Sequence, residues 1–197
     1  MIDLPLPPSP IPTLTVIELK AGTEPLLQRL FEENPLYFLS MNGQPAGPTE
    51  AHEEIHDPLP AGWTYTRKLV LGYIASDGSL AAMANIVSDM LAPTVWHIST
   101  FIVATARHGS GDAATIYQSL EVWASKHGAK WLRLGVVRGN PRAEHFWDRQ
   151  GFTEARVRYG VQMGVQTNAL RVMFKPLTGG TLEQYIALVA RDRPDAA

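Results

Sequence analysis

Residues 96–114 read WHISTFIVATARHGSGDAA. Trp96 to Val103 is rich in β-branched and aromatic residues, the composition of a strand. Gly109 and Gly111 then open a turn, and apolar residues at Ala113, Ile116, Leu120 and Trp123 follow at helical spacing. The stretch therefore predicts a strand that runs through a glycine-containing turn into the N-terminus of a helix. Such a turn suits an anion. The first N–H groups of a helix lack partners and carry partial positive charge, and glycines let a phosphate approach the backbone.

Downstream, the helix is expected to end at Gly128, a C-terminal glycine. Trp131 to Val137 is a mostly apolar run, as for a strand covered on both faces. Asn140 to Gln150 reads as a helix closed by Gly151, Arg156–Met163 and Leu170–Lys175 as a pair of strands, and Thr181–Ala190 as a last helix. Upstream, Lys68–Ser76 and Leu80–Val87 flank Asp77-Gly78, a hairpin signal. Thr13–Leu19 reads as a strand. Thr23-Glu24-Pro25 starts a helix that should stop at Asn34-Pro35. Between Met41 and Gly62, glycine and proline leave room for one short helix around Glu50–His56. The order predicts an α/β domain around one mixed sheet.

Two motifs sharpen this reading. His108-Gly109-Ser110-Gly111-Asp112-Ala113 resembles the acetyl-CoA loop of the GNAT family of N-acetyltransferases, Q/R-x-x-G-x-G/A. NPRAEHFWDRQGF, from Asn140 to Phe152, resembles that family's N-x-x-A-x-x-F-Y-x-x-x-G-F segment. The linking stretch LEVWASKHGAKWLRLGVV is also typical of it. The resemblance is close over 96–152 and looser over 13–176. It implies a single-domain GNAT-like α/β fold, with a mixed, mostly antiparallel central sheet flanked by helices. The domain is expected over 13–192, behind a Pro-rich lead-in at 1–12.

The same resemblance implies site residues. A backbone N–H at Val103, with Phe101 and Ile102 before it, would polarise the thioester carbonyl. His108, Gly109, Ser110, Gly111, Asp112 and Ala113 would hold the pyrophosphate, and Asn140 the pantetheine arm or a water. Ala143, Phe146 and Trp147 would pack along the cofactor. Three positions depart from the family pattern. Trp147 stands where many members have a tyrosine acid, and indole is no useful proton donor. Tyr159 and Tyr117 are the alternative donors. His108 replaces Arg or Gln, with Arg107 beside it. Asp112 suits the helix dipole but must point away from phosphates. His97 is the favoured base, because strict alternation would put His97, Ser99, Phe101 and Val103 on one face. Asp89 is a lesser candidate that reads as a turn residue.

The bulk numbers exclude other classes. The chain has 197 residues, a formal net charge of -2 and no cysteine, so thiol catalysis, disulfides and thiolate metal sites are out. Nothing suggests a nucleic-acid or membrane surface, and the N-terminus lacks the pattern of a signal peptide, so a cytoplasmic enzyme is expected. His52-Glu53-Glu54-Ile55-His56 fits the H-E-x-x-H zinc pattern. However, Gly47-Pro48 and Asp57-Pro58 confine it to a short, polar helix, and it reads as solvated, with no metal expected. In the GNAT frame, Tyr37, Phe38 and Met41 up to Trp63 would border the acceptor. The function implied is acetyl-CoA-dependent transfer to a primary amine of a small molecule. Protein N-terminal or lysine acetylation, or acetyl-CoA sensing, are the alternatives. A homodimer through the last strands and C-terminal helix is the family habit.

Overall fold

The computed structural model describes residues 4–196; the first three residues of the lead-in expected at 1–12 lie outside that range. Strand β1 (Leu14–Glu18) is followed by helices α1 (Glu24–Glu33), α2 (Pro35–Asn42) and α3 (Glu50–His56). The hairpin β2 (Arg67–Ala75) and β3 (Leu80–Ser88) turns at Asp77-Gly78, and β4 (Val95–Val103) follows. Then come α4 (Asp112–Lys126), β5 (Trp131–Val137), α5 (Pro141–Arg149), β6 (Thr153–Met163), β7 (Gln166–Pro176) and α6 (Leu182–Leu188). Asn34-Pro35 does end α1, but Pro35 immediately starts α2, which the proline boundary alone does not reveal.

The strands form one seven-stranded sheet in the order β1-β2-β3-β4-β5-β7-β6. Every neighbouring pair is antiparallel except β4 and β5, which α4 connects as a parallel pair. The sheet divides two cores. On one face Leu69, Leu71, Tyr73, Ala84, Trp96, Ile98, Leu132 and Leu134 pack with Ile116, Leu120 and Trp123 of α4 and Trp147 of α5. On the other, Val70, Met83 and Ile102 pack under Leu27, Leu30 and Phe31 of α1 and Phe38 of α2. A third cluster, with Trp131, Phe174 and Tyr185, docks α6 beneath the end of β5.

The lead-in is tied down where it is described. Trp123 Nε1 donates to the Pro5 carbonyl at 2.8 Å and Ser119 Oγ to that of Pro8 at 3.2 Å. The end of the chain is held by a buried ion pair. Arg133 of β5 donates to both Asp192 oxygens at 2.7 and 2.9 Å, and the Tyr185 hydroxyl adds a third bond to that carboxylate. Among the described residues no helix is long and apolar enough to cross a membrane.

Candidate active site

The site begins where the parallel pair comes apart. Pairing of β4 with β5 runs from Val95↔Trp131 to Ile98↔Leu134 and stops there, although both strands continue. The cause is visible on the other side of β4. Asn85 of β3 pairs with Thr100 and Ile86 with Ile98, so Ser99 is an extra residue, a β-bulge that bends the strand. Beyond the bulge, the Ala104 N–H donates to the Ala81 carbonyl. Backbone groups alternate sides along a strand, so the N–H groups of Phe101 and Val103 point the opposite way, into the gap towards β5.

The bulge also corrects the face assignment. Strict alternation would place His97 beside Phe101 and Val103. One extra residue reverses the parity, so Ile98, Phe101 and Val103 share the face under α4 and α5. His97 looks the other way, its Nδ1 3.1 Å from the Arg133 carbonyl oxygen. The same nitrogen lies 3.3 Å from Arg133 Nη1, which can only donate, while the carbonyl can only accept, so Nδ1 serves one of these two contacts according to its tautomer. Burial, and then the Arg133 charge, push the His97 pKa down to about 3. His97 is not among the residues lining the cleft, and an imidazole held so low is a poor proton acceptor.

A cleft of about 720 Å³ opens along the gap. Its floor is Phe101, Ile102 and Val103 with Gly135 to Val137, and its walls are α2, the loop after β4, and α5. The loop is anchored at several points. His108 Nε2 lies 2.8 Å from the Val103 carbonyl oxygen, and Asn34 Oδ1 accepts from both the N–H and the hydroxyl of Thr105 at 2.7 Å. Gly109 and Gly111 have φ of 85° and 89°, a region that disfavours other residues. A Cβ on either would meet nothing within 4 Å, so glycine is needed for conformation, not for space. Asp112 pairs with Arg107 at 2.8 Å, which neutralises its charge at the loop. Ser110 Oγ donates back to the Arg107 carbonyl, and neither Ser110 nor Asp112 lines the cleft. Because α4 starts at Asp112, the N–H groups of Ala113 and Ala114 have no carbonyl one turn earlier within the helix.

Helix α5 closes the opposite side. Asn140 caps it: Oδ1 accepts from the Ala143 N–H at 3.2 Å, while Nδ2 donates to Ser40 Oγ of α2 at 3.2 Å. The amide is thus engaged in joining the two walls. Phe146 stacks on Phe101 with centroids 6.0 Å apart, and Trp147 meets Phe101 edge-on at 5.7 Å. Arg142, His145 and Arg149 also line the cleft, and the two guanidinium groups among them make its rim cationic. The sequence reading passed over Arg142 and Arg149 and took His145 for a surface residue. Their spacing puts them on one helix face, which is the signal that would have found them.

The two alternative tyrosines lie elsewhere. Tyr159, on β6, is 72% exposed and accepts a hydrogen bond from Arg138. Tyr117 is fully buried, edge-on to Trp147, and donates to Glu121, which is also bonded to Lys175. Neither lines the cleft. Asp89 is a turn residue whose Oδ1 accepts from the Thr94 N–H at 2.7 Å. The phenol that does line the cleft is Tyr37 of α2. Burial, and then the Glu54 charge, raise its pKa well above the ordinary phenol range, so it stays a donor. Among the described residues no Asp or Glu lines the cleft.

The sequence model of the acetyltransferase (GNAT) family matches residues 26–152. No curated protein matches the chain significantly in sequence. Solved structures match the fold over most of the chain. Spermidine N-acetyltransferase from Vibrio cholerae, solved with CoA and spermine, superposes with a TM-score of 0.64 at 17% identity, covering 84% of this chain and 96% of its own. The ribosomal-protein-alanine N-acetyltransferase of Escherichia coli gives 0.62 at 16% identity, over 85% of this chain and 96% of its own. An acetyltransferase from Thermus thermophilus gives 0.61 at 22% identity, over 83% and 97%.

Proposed function

The chain belongs to the acetyltransferase (GNAT) family, and from that premise we propose that it transfers an acetyl group from acetyl-CoA to a primary amine of a small molecule. The observation that carries the proposal is the β4–β5 gap, with the Phe101 and Val103 N–H groups turned into it and a glycine turn at its mouth. The residues present fit the donor. The N–H groups of Gly109, Gly111, Ala113 and Ala114 and the cations Arg142 and Arg149 suit phosphates. The apolar floor under Phe146 and Trp147 suits the uncharged arm. Acetyl-CoA would supply the acetyl group as a reactive thioester.

The Val103 N–H faces the position where a carbonyl oxygen gains charge during acyl transfer, and a preorganised donor there lowers the barrier. A C–N bond to the amine forms as the C–S bond breaks. With no carboxylate in the lining and His97 turned away, the amine proton passes to water in the cleft, and the departing thiolate takes its proton from solvent. Tyr37 borders the acceptor side, its hydroxyl bonded to Thr100, and α2 also contributes Leu36, Ser40 and Met41 to the wall. That wall is uncharged at these residues, which is compatible with a small acceptor. The similar spermidine N-acetyltransferase was solved with spermine bound, a small amine. Two copies pairing through the β6–β7 hairpin and α6 belong to the same reading, with Tyr159 and Val165 exposed on that hairpin.

The test is release of free CoA from acetyl-CoA with a panel of polyamines, amino acids, amino sugars and N-terminal peptides. Turnover with a small amine and not with peptides supports the proposal. Turnover with peptides alone replaces the acceptor class, and none with any amine overturns it.

A further inference from the structure

The HEEIH stretch is not absorbed by the acetyltransferase reading, and its surroundings differ from what the sequence suggests. It forms α3, which packs on α1, and both histidines face a third group from that helix. His56 Nε2 lies 2.7 Å from Glu24 Oε1, and the His52 and His56 rings are 4.4 Å apart. One donor atom each from Glu24, His52 and His56 lies within 4.8 Å of the others. We propose that Glu24, His52 and His56 form a site for a divalent transition metal of the zinc class, clamping α3 to α1.

The donor set is chemically apt. Two imidazoles and a carboxylate leave one tetrahedral position for water, and zinc binds such donors at about 2.0–2.2 Å. Bonds of that length set the donors roughly 3.3 Å apart. The half-exposed or exposed side chains reach this by rotating about their own bonds. The frame that aims them is already built. Gln28 of α1 accepts from the Ala51 N–H at 3.2 Å and donates to the Gly47 carbonyl at 2.9 Å, which fixes α3 against α1. The Gly22 N–H donates to Glu24 Oε2 at 2.6 Å, which leaves Oε1 directed at His56. Outer bonds of this kind orient metal ligands.

The site is not hydrolytic. Glu53, the glutamate of the H-E-x-x-H pattern, accepts from Thr49 Oγ1 at 2.6 Å, and neither histidine lines the cleft. Its consequence is mechanical. Glu54, on the same helix, accepts from Asn85 of β3 at 2.7 Å, so the clamp steadies a helix joined to the sheet.

The test uses the full chain without an affinity tag. Zinc chloride is titrated calorimetrically, and cobalt chloride is followed by visible absorption. One ion per chain is expected. At a hundredfold excess over the dissociation constant, Tm should rise by roughly 5–10 °C. H52N, H56N and E24Q should each weaken binding by about tenfold or more, since each removes one of few ligands. H127N, at the far end of α4, should not. Circular dichroism without metal checks that each variant folds, and comparing Tm with and without metal within one variant separates lost ligation from lost stability. Absence of binding, or binding unchanged in the H52N/H56N double variant, overturns the proposal.

Discussion

His108 Nε2 stands 2.8 Å from the carbonyl oxygen of Val103, so the first residue of the glycine turn is tied to the last residue of β4. The carbonyl can only accept, which makes His108 the donor. The bond fixes the turn relative to the N–H groups in the gap. H108A should loosen it and weaken acetyl-CoA binding by roughly tenfold, the value of a bond of about 1 kcal/mol or slightly more. H108Q, which keeps a donor, should recover part of the loss. Calorimetric dissociation constants for the three proteins check this.

Gly111 holds φ 89° with open space where a Cβ would sit. Substitution therefore acts through the backbone alone. Affinity for acetyl-CoA should fall in the order Gly, Asn, Ala, Val, because asparagine tolerates positive φ best and β-branched residues least. Replacement by Val should cost the native turn about 1–2 kcal/mol or more, which lowers Tm by roughly 2–8 °C without abolishing the unfolding transition.

Tyr37 is the phenol lining the cleft, and its environment keeps it protonated. Y37F should lower kcat/KM for the amine by roughly tenfold, again one hydrogen bond. The dissociation constant for acetyl-CoA should not change. Initial rates at varied amine and a separate acetyl-CoA titration distinguish the two.

His97 binds protons more weakly in the folded chain, with a pKa of about 3 against an ordinary value of 6.5. Below pH 6.5 the unfolded chain therefore holds the extra proton, and stability falls as pH drops from 6.5 towards 3. The slope from this group is at most about 1.4 kcal/mol per pH unit. H97N retains a donor for the Arg133 carbonyl but cannot titrate, so its acid limb should be shallower. Urea unfolding from pH 7 to pH 4 measures the difference. The pH profile of turnover should be the same in both proteins, as expected if His97 is not the base.

Arg133 and Asp192 are a buried pair, 4% and 0% exposed at their side chains. Burial alone would raise the Asp192 carboxyl, but the Arg133 bonds outweigh it and hold the pKa below the usual value. D192N strands the guanidinium in the core and should destabilise the chain by about 3–5 kcal/mol. Chemical denaturation reads this directly.

The parts of this molecule that were legible in the sequence are those whose causes are local. The glycine turn at 108–113, the Asp77-Gly78 hairpin and the capped helix after Asn140 each follow from the conformational needs of neighbouring residues. The apolar run of β5 begins and ends at Trp131 and Val137, as its composition implies. The bulge at Ser99 was not legible. No glycine or proline marks it, and it shows only in the pairing of β4 with β3. Its effect is large, since it turns His97 out of the site. Tyr37 was seen as a residue bordering the acceptor, but α2 was hidden behind Pro35, which ends one helix and starts the next. The polar face of α5, with the cations Arg142 and Arg149, was in plain view, and the family motif drew attention to the apolar face instead. Glu24 lies far from HEEIH in sequence, so only the packing of α1 on α3 brings the three donors together.

The most direct measurement is a calorimetric titration of the intact chain with acetyl-CoA, repeated with a G109V/G111V double variant. The use of the β4–β5 gap and its glycine turn as the donor site predicts saturable binding of one acetyl-CoA per chain. It also predicts a loss of affinity of tenfold or more in the variant, about 1.4 kcal/mol or more, with the unfolding transition preserved. Absence of binding to the unaltered chain, or equal affinity in the variant, would contradict it.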